Sequence, residues 1–316
     1  MRRLRSICVT LALIATATLS ACSGGAPNLP ATDEEMLQQL SGSNGLQFLQ
    51  QVSAHAWPDG GSAAADRFAW ISKDAQSTDP ATARHAGEAA HTIALFLSDP
   101  AYELANLPAG IFGLQHRSLG ALNPSLVAAY AEALTHFQGA LVGDGRGILG
   151  FEAIGDPLDL ASARNIFSII DTNTNAGTEF NNAAYQRVRH YLQEYGQAVA
   201  NHNADGLVAL QFAAALAGVV EGGQRDSANT TLEIRTAQHF VNLARFEVAK
   251  SMGVHPGAQG IPTRFFTTEG QLKSPDAISQ SDLSEFSTAL ENFAFKNGMS
   301  NLGTDFRRWY DVGAGV

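Results

Sequence analysis

Leu207-Val-Ala-Leu-Gln-Phe-Ala-Ala-Ala-Leu-Ala-Gly-Val-Val220 is the stretch that decides the fold class. Only Gln211 and Gly218 interrupt a surface that is apolar or alanine on every side. A helix apolar all round must be enclosed by other elements or by lipid. The run is shorter than the roughly 20 residues that cross a bilayer, so it reads as the central helix of a packed body.

Outward from that run, apolar residues recur at steps of three and four, each set making one helical stripe. Toward the N-terminus these are Ala65, Phe68, Ile71 and Ala75; Ala86, Ala89, Ile93 and Phe96; Leu126, Tyr130, Leu134, Phe137 and Leu141. They continue with Leu160, Ala163, Phe167 and Ile170, then Ala184, Val188, Tyr191, Tyr195 and Val199. Beyond the central run come Ile234, Ala237, Val241, Ala244 and Val248, and finally Leu283, Phe286, Leu290 and Phe293. Start signals agree: Thr32 and Glu35 have capping-box spacing, and Asp79-Pro80, Asn123-Pro124 and Asp156-Pro157 set a capping side chain before a proline at the first helical position. No period-two set competes. The expectation is an irregular all-α globule of roughly nine helices over residues 33–300, followed by a tail, residues 301–316, that carries Trp309-Tyr310. Residues 253–281, with Pro256, Pro262 and Pro275, read as a long surface connection pinned by Phe265 and Phe266.

The N-terminus carries an address. Arg2, Arg3 and Arg5 precede an apolar run from Ile7 to Leu19, then Ser20-Ala21-Cys22, the layout of a cleavable signal peptide over residues 1–21. The small residues before Cys22 resemble the lipobox of bacterial lipoproteins, in which the thiol is diacylated, the chain is cut before it and the new amine is acylated. Two or more acyl chains give stable anchoring where one does not. Residues 22–32 then read as the lipidated cysteine and a flexible tether, whose nine residues 23–31 reach about 15 to 18 Å. The expected location is extracytoplasmic and membrane-anchored.

Composition removes several classes of function. The formal net charge is −10, and the loss of three leader arginines makes the body more acidic still. Such a surface offers no electrostatic footprint for nucleic acid. Of two cysteines, Cys8 falls in the leader, so Cys22 stands alone and internal disulfides and cysteine-based sites are excluded.

Each motif that carries chemistry lacks a required part. His85-Ala-Gly-Glu88-Ala-Ala-His91 holds the Glu-x-x-His unit of di-iron bundles, but a second unit is missing, since Glu132 and His136 lie one residue too far apart. Asp171-Thr-Asn-Thr-Asn-Ala-Gly177 begins like a calcium loop, yet Ala176 replaces the turn glycine and Asn182 the closing Glu, so the run reads as helix caps. Gly145-Arg-Gly-Ile-Leu-Gly150 spells a dinucleotide fingerprint with no preceding strand and reads as a loop. Glu152, Asp156 and Asp159 are explained by capping and solvation. Neither Gly-x-Ser-x-Gly nor His-Glu-x-x-His occurs. No catalytic residue and no cofactor is assigned.

Three strings, Thr78-Asp-Pro-Ala-Thr-Ala-Arg-His-Ala-Gly-Glu-Ala-Ala-His91, Asn123-Pro-Ser-Leu-Val-Ala-Ala-Tyr-Ala-Glu-Ala-Leu134 and Ala163-Arg-Asn-Ile-Phe-Ser-Ile-Ile-Asp-Thr172, lie within residues 62–250. This region resembles a helical module of secreted and lipidated actinobacterial proteins, sometimes labelled a tetratricopeptide-like repeat region. The resemblance implies an all-α module on an exported chain with no catalytic residues to transfer. The repeat period of about 34 residues and its Trp-x2-Leu-Gly-x2-Tyr signature are missing from this sequence.

Two functional expectations follow. One is a lipid-anchored binding or scaffold protein of the cell envelope, with the membrane and an envelope protein as partners. The other is an envelope hydrolase or metal-dependent enzyme assembled from distant helices, with Glu88 and His91 as its metal ligands.

Overall fold

The computed structural model describes residues 25–110, 114–156, 158–204, 206–257 and 260–316. The expected leader and Cys22 lie outside the described residues, as does Pro157. The described chain is mostly helical: α1 (Asp33–Ser41), α2 (Gly45–Ala54), α3 (Ser62–Ala65), α4 (Ala69–Asp74), α5 (Pro80–Ser98), α6 (Leu119–Leu122), α7 (Pro124–Thr135), α8 (Ala161–Asp171), α9 (Thr174–Ala200), α10 (Gly206–Asp226), α11 (Ala237–Ser251), α12 (Leu283–Lys296) and α13 (Leu302–Ala314). A short antiparallel hairpin joins β1 (Leu107–Ala109) to β2 (Gln115–Arg117) between α5 and α6.

The expected count of about nine helices is too low for four reasons, one of them α13, which occupies the expected tail. The Ala65–Ala75 stripe is broken into α3 and α4 by the turn at Asp66–Phe68. Residues 33–54 fold as two helices joined at Gly42–Asn44, and Ser118 caps the extra single turn of α6. The hairpin escaped the sequence reading because strands of three residues are too short to show a period.

Helix starts follow local chemistry. Thr32 and Glu35 form the capping box, with the Thr32 hydroxyl accepting from Glu35 N at 3.2 Å and the Glu35 carboxylate from Thr32 N at 3.3 Å. Asp79 accepts from Thr82 N at 3.1 Å ahead of Pro80. Asn123 does not cap α7. Fully buried, it donates to Ser53 O at 2.9 Å and His55 O at 2.8 Å and accepts from Trp57 N, which fastens the end of α2 to the start of α7. Helix α8 starts at Ala161 rather than beside Pro157, because Leu160 takes a left-handed backbone with φ of 54°.

Helix α10 is the centre, packed by α8, α9 and α13. At 21 residues it is long and apolar enough to cross a membrane, but 72% of its most apolar window is buried inside the fold. Its first turn is the exception, since Leu207 and Val208 are exposed. Buried side chains from Met36 to Ala314 form one continuous core.

Residues 301–316 are not a tail. Leu302, Phe306, Tyr310 and Ala314 repeat every fourth residue and are buried. Helices α10 and α13 cross with backbones nearly touching. A Cβ on Gly218 would lie 2.1 Å from Tyr310 O, and one on Gly313 would lie 2.3 Å from Ala215 O, so only glycine fits at either position. Arg164 donates to Val312 O at 3.0 Å and Gly313 O at 3.2 Å, and Arg225 donates to Ala314 O. Together they satisfy carbonyls that the end of α13 leaves open.

The expected free tether is also shortened. Leu29 packs on the core and Arg67 donates to Ala31 O at 2.9 Å. Pro27 and Asn28 border a polar groove against Gln39, Gln47 and Gln51. One leucine and one arginine clamp are enough to seat a short segment rich in proline.

Candidate functional site

Helix α5 carries both expected metal ligands, Glu88 and His91. His91 is half-buried edge-on against Phe151, with ring centroids 5.3 Å apart, and burial lowers its pKa although the Glu152 charge opposes this. Its Nδ1 has no partner. Among the described residues no group of three His, Cys, Asp or Glu side chains gathers, so Glu88 and His91 are not joined by a third ligand.

The Asp171 run is a helix junction. Asp171 ends α8, and Asn173 Oδ1 accepts from Asn175 N at 3.1 Å and Ala176 N at 3.0 Å to start α9. The Asp171 carboxyl is fully buried, and burial pushes its pKa up to about 7. Asn181 Nδ2 donates to Asp171 Oδ1 at 2.9 Å, while Asp171 Oδ2 and Asn181 Oδ1 are both buried without partners. A protonated Oδ2 would be a donor beside this carboxamide, and a carboxylic acid and a carboxamide can exchange two hydrogen bonds. Gly177 is part of the arrangement: a Cβ there would meet Asp171 Oδ1 at 2.5 Å.

The glycine run of residues 145–150 is a loop docked on α5, where a Cβ on Gly150 would lie 2.1 Å from Arg84 O. Its polar residues form an ion-pair knot. Arg146 grips Asp144 with two bonds of 2.8 and 3.0 Å and reaches Glu194 at 3.2 Å, while the Tyr191 hydroxyl donates to Asp144 at 2.7 Å. Burial opposes the charge on Asp144, but the bonds from Arg146 and Tyr191 hold its carboxyl below the usual range. Asp156 and Asp159 serve local backbone and Arg164, with Asp156 Oδ1 accepting from Leu158 N at 2.8 Å and Asp159 pairing with Arg164 at 3.4 Å. The connection over residues 253–281 is pinned as expected: Phe265 and Phe266 are buried, Phe265 meets the ring of Phe286 at 5.0 Å, and Phe266 bridges to Leu272.

A polar cleft of about 190 Å³ opens where α11, α12 and α13 meet, lined by Gln238, Val241, Arg245, Glu291, Ser300, Gly303, Thr304 and Arg307. Steps of three and four put Gln238, Val241 and Arg245 on one face of α11. The Arg245 side chain is only 9% exposed, and its Nη2 pairs at 3.0 Å with Glu291, whose side chain is 62% exposed. Arg245 Nε is buried with no partner. Arg307 donates to Gln238 Oε1 at 2.7 Å; Gln238 donates on to Asn242 Oδ1 at 3.1 Å, which also accepts from Ser287 at 2.8 Å. Gly303 and Thr304 lie in the first turn of α13, and Asn301 before them makes no side-chain cap.

The sequence reading missed this cleft because its parts come from three helices far apart in the chain. The available signal was Arg245, a charge set among Val241, Ala244 and Val248 in an otherwise buried face.

No family model matches the chain, and neither a curated protein nor a solved structure is similar to it.

Proposed function

We propose that the protein is a lipid-anchored binding protein of the cell envelope, held at the membrane through Cys22 and acting through the cleft between α11, α12 and α13. The observation that carries the binding role is Arg245, a buried guanidinium with an unpartnered Nε and one exposed carboxylate for company. A buried charge so incompletely matched is costly in a purely structural role and useful at a binding site. The anchor rests on the basic, apolar and small-residue layout of residues 1–22.

The docked segment sharpens the geometry of anchoring. From Cys22 to Pro27 is five residue steps, at most about 18 Å of chain. Anchoring at Cys22 therefore sets the end of the fold formed by α1 and α2 against the lipid surface. Cys22→Ala followed by separation of membrane and soluble fractions tests this: the native chain partitions with membranes and the variant does not. Equal membrane retention of the variant overturns the anchor.

A further inference from the structure

We infer that the cleft between α11, α12 and α13 binds a small carboxylate, of the hydroxy-acid kind, at the buried Arg245 guanidinium and the first turn of α13. This rests on the reading of the protein as a binding protein and names the ligand of that same cleft.

Three independent features converge there. Arg245 presents a planar fork of donors, of which Nη2 alone meets a carboxylate and Nε meets nothing. Helix α13, of 13 residues, starts at the cleft with no side-chain cap on its amides, so the positive end of its dipole faces the same volume. The Arg245 guanidinium points at that turn, since a Cβ on Gly303 would lie 3.5 Å from Nη2. Arg307 adds a second cation at the rim, held by Gln238. Two guanidiniums then face one carboxylate in a chain whose net charge is −10.

The charge count selects the ligand. Glu291 already offers Arg245 a carboxylate from an exposed side chain, which shows the group that fits this fork and leaves room for one further negative charge. A dianion such as phosphate would confront Glu291 directly. Asp305, in the same turn of α13, is exposed and outside the lining. The Thr304 and Ser300 hydroxyls supply partners for a hydroxyl beside the ligand's carboxylate.

Isothermal titration of the full-length chain in detergent with lactate, and separately with inorganic phosphate, tests the assignment. Lactate is expected to bind saturably at one site, at least tenfold more weakly in Arg307→Gln, with heat lost in Arg245→Met. Arg307 is exposed, so its variant keeps the test valid if Arg245→Met fails to fold. Lactate binding unchanged in Arg307→Gln and in a folded Arg245→Met overturns the assignment, as does lack of saturable heat with either anion. Phosphate binding without lactate binding also overturns the carboxylate, while leaving a binding protein in place. None of these results bears on membrane partition, so the anchor stands or falls separately.

Discussion

Replacing Asp171 by Asn should leave stability unchanged near pH 4 and raise it increasingly toward pH 8. In the fold the carboxyl ionises at about 7 instead of its ordinary 3.8, chiefly through burial. Below the unfolded value both states carry the proton and the site is neutral in the ledger. Between the two values the unfolded chain has lost its proton while the folded one keeps it, so the folded state binds more protons and stability falls as pH rises. Above about 7 both are ionised and the full penalty is present. The interval from 3.8 to about 7, at 1.36 kcal/mol per tenfold change in proton affinity, sets that penalty at no more than about 4 kcal/mol. Asparagine cannot ionise, and its amide can exchange two hydrogen bonds with Asn181 just as the protonated acid does. Urea unfolding of both proteins from about pH 4 to 8 measures the difference directly, because every other titrating group is common to both. Two parallel stability profiles, or a variant weaker at every pH, would refute the claim that this carboxyl is held protonated by the fold.

Other perturbations address the core, the knot and the docked segment. Leu210→Asp puts an unpaired charge where the native side chain is 3% exposed, and a loss of about 3 kcal/mol or more is expected in thermal melting. Gly218→Ala forces a Cβ into the 2.1 Å gap at Tyr310 O; the helices must separate, lowering the melting temperature as much as removing residues 302–316 does. Asp144→Ala strands the buried Tyr191 hydroxyl, while the exposed Arg146 keeps Glu194, and should cost about 1 to 2 kcal/mol in urea unfolding. Deleting Gly25 and Ala26, both exposed, should leave stability unchanged, whereas Leu29→Ser should lower it by about 1 kcal/mol in thermal melting, since only the second change touches a packed residue.

How far the sequence could be read depended on the range of the forces involved. The capping box at Thr32, the Asp79-Pro80 start and the all-round apolar surface of α10 are local and were legible from residues alone. Helix α13 was not, although Leu302, Phe306, Tyr310 and Ala314 keep a fourfold spacing. Its Gly313 looks like a helix breaker until the backbone of α10 is seen to need its missing side chain. Ile234 fits the α11 stripe by spacing yet is exposed, because α11 begins only at Ala237. Asn123 looks like a helix cap and instead satisfies backbone groups from the end of α2. The cleft was the least legible part. Nothing in the neighbourhood of Arg245 along the chain announces Glu291 or Arg307, since three-helix concavities leave no local pattern.

The reciprocal glycine crossing bears on when this chain can become a protein. Synthesis and any threading through a pore run from the N-terminus, and the strip of α10 around Gly218 is covered by a segment made later than α10 itself. That cover is α13, which is made after α10, α11 and α12. A nascent chain ending before Leu302 holds an apolar helix with one face open, a species suited to chaperone capture and unsuited to stable folding. Native packing of the centre is thus tied to the arrival of α13, which acts as a latch on the helix it covers.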